Sequence, residues 1–166
     1  MPISINGTTG ISGVNGSAAT PALQGTDTDS GVYFASNAVH VAANGVERFQ
    51  INANGIYAPA SAAAVISSLT DGATITPDFA VANNFSVTLG GNRTFANPTN
   101  MTVGQSGVIY ITQDGTGSRT LSWGGYYKFP NATAPTLTTT ASAVDAVFYV
   151  VRSATSITVN SLLNIG

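Results

Sequence analysis

Over residues 74–166, apolar and polar residues alternate with a period of two, in short runs separated by glycine, asparagine and proline. A chain patterned this way builds pleated strands that turn one face to a core. Phe85, Val87 and Leu89 alternate with Ser86 and Thr88, and Leu121 and Trp123 alternate with Thr120 and Ser122. Two runs, 108–111 and 146–151, are almost continuously apolar, which suits central strands covered on both faces. Gly90-Gly91-Asn92, residues 113–118, Pro130 and residues 152–155 are turn signals. About seven or eight short strands at this spacing predict an all-β fold, a β-sandwich or jelly roll over residues 73–166.

Upstream, residues 26–58 predict a small β-meander. Gly31-Val32-Tyr33-Phe34, Val39-His40-Val41 and Arg48-Phe49-Gln50-Ile51 are β-prone, and Ala43-Asn44-Gly45 and Asn52-Ala53-Asn54-Gly55 turn the chain between them. So few strands are at best marginally stable alone. The sequence therefore predicts a homotrimer in which Val32, Phe34, Val39, Val41, Phe49 and Ile51 bury one another. Arg48 is placed for an ion pair at a subunit contact. Residues 59–72 read as a short helix or connector, with Pro59 in the first turn, an alanine run, and Asp71-Gly72 as a stop. Val65, Ile66 and Leu69 share a face of that helix and would meet their copies near the axis. Residues 1–25 are glycine, serine, threonine, asparagine and alanine around isolated Ile3, Ile5, Ile11, Val14 and Leu23. Such a stretch has no core of its own and predicts an extended arm docked on another protein.

Composition closes several functional classes. Only 7% of the 166 residues are charged, against about 25% in an ordinary soluble domain. The net charge of −2 leaves no basic surface to neutralise phosphates, so no nucleic-acid partner is expected. There is no cysteine and one histidine, which removes disulfides, thiolate metal sites and most nucleophile–histidine arrangements. No apolar run approaches the ~18 residues of a membrane span, and the first residues lack the regions of a signal peptide. The chain is read as non-enzymatic, without cofactor or metal, and not inserted in a membrane.

The seven carboxylates, Asp27, Asp29, Glu47, Asp71, Asp78, Asp114 and Asp145, lie mostly at turns. Hydrolysis of a glycoside would need two of them about 5–9 Å apart, and that alternative stays open. Asp27 with Asp29 is an alternative hard-cation site lacking EF-hand spacing. His40 points away from Val39 and Val41 and reads as a surface histidine. A ring of His40 from three chains is the metal-binding alternative. Arg93, Arg119 and Arg152 stand at turn ends and read as solvated. Trp123, Tyr126 and Tyr127, with glycines between them, are the candidate glycan contacts, since sugar rings stack on aromatic faces; packing in the core is the alternative.

The stretch Gly13-Val14-Asn15-Gly16-Ser17-Ala18-Ala19-Thr20-Pro21-Ala22-Leu23-Gln24-Gly25-Thr26-Asp27-Thr28-Asp29-Ser30-Gly31-Val32-Tyr33 resembles an element of bacteriophage tail-fibre and related virion proteins, departing at Ser30, where threonine is usual. A second element matches at Val39-His40-Val41, Gly45, Arg48, Ile51 and Gly55-Ile56. Asn92-Arg93-Thr94, Gly104-Gln105-Ser106-Gly107 and residues 113–121 are similar to a C-terminal β domain of phage fibre and structural proteins. The resemblance implies a virion structural protein made in the bacterial host cytoplasm. It would be a short trimeric fibre or a capsid decoration protein, docked through its arm on capsid or tail. The alternatives are a host-receptor lectin-like adhesin and, further off, a small polysaccharide-degrading enzyme.

Overall fold

The computed structural model describes residues 4–6, 10–12, 15–59 and 62–166. The chain divides into two compact units, Met1–Ala63 and Ala64–Gly166.

In the first unit β1 (Ser4–Asn6) and β2 (Gly10–Ser12) pair antiparallel, with Ile5 opposite Ile11. The other strands form one antiparallel meander in chain order: β3 (Leu23–Gln24), β4 (Gly31–Ala35), β5 (Ala38–Ala43), β6 (Val46–Asn52) and β7 (Gly55–Tyr57). The β4–β5 and β5–β6 links are two-residue turns. Ser36 and Asn37 have φ of 50° and 61°, Asn44 and Gly45 have φ of 55° and 68°, and the type I′ turn requires such left-handed pairs. The Asn-Gly turn was readable from sequence; the register shift between Val41 and Ala42 in the same pair was not.

The second unit contains β8 (Ile66–Ser68), β9 (Thr74–Ile75), β10 (Asn84–Leu89), β11 (Arg93–Phe95), β12 (Ser106–Gln113), β13 (Leu121–Trp123), β14 (Tyr127–Lys128), a 3-10 turn at Pro130–Ala132, β15 (Val144–Ser153) and β16 (Ser156–Leu162). A six-stranded sheet runs β14-β16-β15-β12-β10-β8, and a three-stranded sheet runs β13-β11-β9. Two sheets enclosing one core satisfy the sandwich expectation. The pairing is not that of a jelly roll, whose strands are antiparallel. From β8 to β13 successive strands alternate between the two sheets, and within each sheet they pair in parallel: β8 with β10, β10 with β12, β9 with β11, β11 with β13. That is the path of a short parallel β-coil, one strand of each sheet per circuit. Antiparallel β15 and β16 then extend the larger sheet beyond β12.

Inward residues of both sheets form the core: Phe85, Val87 and Leu89 of β10, Ile109 and Ile111 of β12, Val147, Tyr149 and Val151 of β15, Ile157 and Val159 of β16, closed by Ile75, Phe79 and Phe95. β12 and β15 are central neighbours, as their apolar runs predict. Their outer faces are not fully covered, however. Phe148 and Val150 are exposed, and Val108 and Tyr110 are partly buried.

The helix expected over residues 59–72 is replaced. Residues 62–65 carry no regular structure and Ile66–Ser68 is a strand on β10. A helix of about eleven residues is marginal in water, whereas the strand gains a ladder on an existing sheet. Tertiary pairing overrides alanine propensity. Val65 and Ile66 are exposed and Leu69 packs against the core, so the three do not share one face.

Candidate functional site

Register brings the predicted contact residues of the meander together. Leu23 lies opposite Val32, Val32 opposite Val41, and Val41 opposite Phe49; Phe34 lies opposite Val39, Val39 opposite Ile51, and Ile51 opposite Ile56. Directly paired residues share a face, so these eight side chains form one apolar, uncharged face. Ile51 is 48% and Ile56 74% exposed, and Leu23, Phe34 and Val39 are also exposed. Arg48 stands at a register shift between Val41 and Ala42 and makes no ion pair among the described residues. Of the predicted arm residues, Ile3 and Val14 lie outside the described residues. Ile5 and Ile11 are in the β1–β2 pair, and Leu23 belongs to the meander.

The opposite face of the meander carries a buried polar cluster around His40. His40 is not at the surface: it is only 6% exposed. Its ring stacks on Tyr33 with centroids 4.6 Å apart. Its Nδ1 lies 2.8 Å from Glu47 Oε2 and its Nε2 lies 3.0 Å from the Ala35 carbonyl. Tyr33 donates to the same Glu47 oxygen at 2.7 Å. That bond, aided by His40, holds the Glu47 carboxyl below its ordinary range, while burial and the Glu47 bond push the Tyr33 hydroxyl up to about 12. Sequence reading missed this cluster because its members are joined across strands rather than along one.

Most of the other carboxylates are also engaged. Asp71 holds Arg93 through two bonds, and Asp114 holds Arg119 in the same way, so neither arginine is simply solvated. Asp78 accepts from Asn100 and from the Ala80 amide, and Asp145 is buried under Thr138 and Asn164. Asp27 accepts from the Asp29 amide in its turn. No cluster of three or more metal-ligating groups forms among the described residues.

The aromatic segment builds a groove of about 450 Å³ at the open edge of the second unit. β13 is the edge of the smaller sheet and β14 the edge of the larger one, so the link 124–126 crosses between layers. Gly124 fits there because a Cβ would come 2.4 Å from Asn97 Oδ1, the atom that accepts from the Tyr126 amide at 2.9 Å. Trp123 packs edge-on against Tyr127 and Phe129, with centroids 5.0 Å and 5.1 Å away. Trp123 and Tyr127 line the groove, joined by Phe129, Lys128, Ser122 and Gly125. Tyr126 is not among the lining residues and packs against the core instead. Tyr127 is 5% exposed, and burial drives its hydroxyl far above the ordinary tyrosine range. Its Oη and Trp123 Nε1 are buried without a hydrogen-bond partner among the described residues.

A family model described as "Putative phage tail fibre C-terminal domain" matches residues 75–164. No curated protein matches the chain, and no solved structure does.

Proposed function

Because the chain belongs to the phage tail fibre C-terminal domain family, it is a structural component of the virion, and we propose that it works without catalysis as a short trimeric fibre. In this reading residues 1–25 dock on another virion protein of capsid or tail, with Ile3, Ile5, Ile11 and Val14 as the apolar contacts. The five-stranded sheet packs on its copies, and the second unit carries the outward tip. The observation behind it is the uncharged face of Leu23, Val32, Phe34, Val39, Val41, Phe49, Ile51 and Ile56, much of it open to solvent. Covering such surface contributes about 25 cal/mol per Å², and an uncharged face meets its own copies without like-charge repulsion. Light scattering of the eluted full chain should give three times the 16.8 kDa chain mass. A single-chain mass would overturn the trimer. A capsid decoration role needs the same assembly, and immunolabelling of intact particles separates it from a tail position.

A second reading, a host-surface sugar-binding module, is favoured by the groove at Trp123, where aromatic faces adjoin neutral polar groups and glycines. No carboxylate lines that groove, so it offers no acid for hydrolysis. Trp123→Ala chains that retain the wild-type mass should lose adsorption to host cells. Normal adsorption by that variant would remove the groove from receptor binding.

A further inference from the structure

Lys128 is the only lysine in the chain, and it stands in the wall of the aromatic groove. Arg93 and Arg119 are each neutralised by an aspartate at hydrogen-bond distance. Lys128 has no carboxylate partner among the described residues; its Nζ donates only to the Gly125 carbonyl, within the groove wall. The groove therefore carries one ammonium and no acid in a chain whose net charge is −2. In its lining residues, Trp123 Nε1 and Tyr127 Oη are buried and have no hydrogen-bond partner among the described residues.

We propose that this groove takes an anionic sugar unit of a surface polysaccharide. The ring stacks on the Trp123–Phe129 aromatics and its carboxylate or phosphate pairs with Lys128. The proposal rests on the sugar-binding reading and adds the charge of the ligand. An aromatic wall accepts neutral and acidic rings alike; the ammonium is the group that distinguishes them, because a charge-assisted bond is roughly twice as strong as a neutral one. Lys128 is exposed and holds no other element in place, so Lys128→Gln leaves the fold intact.

The test is an array of acidic bacterial surface polysaccharides, each also in carboxyl-reduced and in dephosphorylated form. It is probed with the full chain, Lys128→Gln and Trp123→Ala, all of wild-type mass. Binding to an acidic member should fall about tenfold on removal of the anion or with Lys128→Gln. It should also weaken as salt rises from about 50 to about 500 mM. Whichever treatment causes the loss identifies the anion as carboxylate or phosphate. Trp123→Ala should abolish binding to every form. Binding that survives anion removal and Lys128→Gln within about twofold would overturn the charge assignment while leaving sugar binding standing. An array with no bound member would overturn both.

Discussion

Asp145 is 1% exposed and stays in the interior because three donors converge on it: the Thr138 amide at 2.8 Å, the Thr138 hydroxyl at 2.7 Å and the Asn164 amide at 2.8 Å. It thereby pins both the approach to β15 and the tail after β16. Asp145→Ala strands these donors and should cost about 3 kcal/mol in urea unfolding; a loss near zero would mean that water replaces the carboxylate. Asp114 answers to acid. Its bonds to Arg119, with help from the Gly117 and Thr116 amides, lower its carboxyl to about 2, below the ordinary value near ~3.9. A depressed folded value stabilises above the unfolded one and is lost as pH falls through the folded one. Asp114→Asn should therefore melt below the parent at pH ~6, and the gap should close as pH approaches ~2. An unchanged gap would assign the effect to the turn rather than to charge. Neither role was legible beforehand: both aspartates read as turn or strand-opening residues, and only their distant partners distinguish them.

At the level of elements, local chemistry was readable and partnership was not. Asn44-Gly45 announces its turn because few other pairs tolerate two left-handed residues. The alternation of Phe85, Val87 and Leu89 announces an inward face, but period two carries no information on whether the neighbour is parallel or antiparallel. For this reason the coil was hidden. Ile66–Ser68 was obscured by the alanines before it, whose propensity pointed to a helix. The start of β12 shows how closely the coil packs: a Cβ on Gly107 would fall 1.7 Å from the Asn83 carbonyl, which also accepts from Tyr149 at 2.7 Å. Gly107→Ala must push that backbone away and should lower the melting temperature by about 5 °C or more. An unchanged melting point would show that the 83–84 corner yields freely. The groove was half legible. Its aromatic residues stood out in sequence, whereas the inward rotation of Tyr126 and the isolation of Lys128 depend on Asn97 and on which arginines find aspartates.

For the molecule as a whole, the apolar face of the meander makes a prediction separable from the second unit. Ile51→Asp combined with Val39→Asp sets two carboxylates opposite each other on that face, which association would have to desolvate at a cost of several kcal/mol. The doubly substituted chain should elute at single-chain mass. Its near-ultraviolet signal from Trp123, in the other compact unit, should persist. Retention of the oligomer would place the interface elsewhere, for example on the open outer side of Phe148 and Val150. The coil has a kinetic consequence of its own. Thr94 meets Thr74 and Ser122, and Ile109 meets Phe85 and Val147, so most ladders close only after long stretches of chain have been gathered. Within the second unit, only the β15–β16 hairpin joins near neighbours. Refolding is then limited by loop closure and falls in the millisecond-to-second range of non-local β topologies. In stopped-flow experiments Val159→Ala should retard refolding, whereas Ile75→Ala should chiefly hasten unfolding. Equal retardation by both would mean that the nucleus spans the entire winding. Until the last circuit closes, a nascent chain exposes unpaired parallel edges to its neighbours, and crowded synthesis of many copies makes that interval its most vulnerable one.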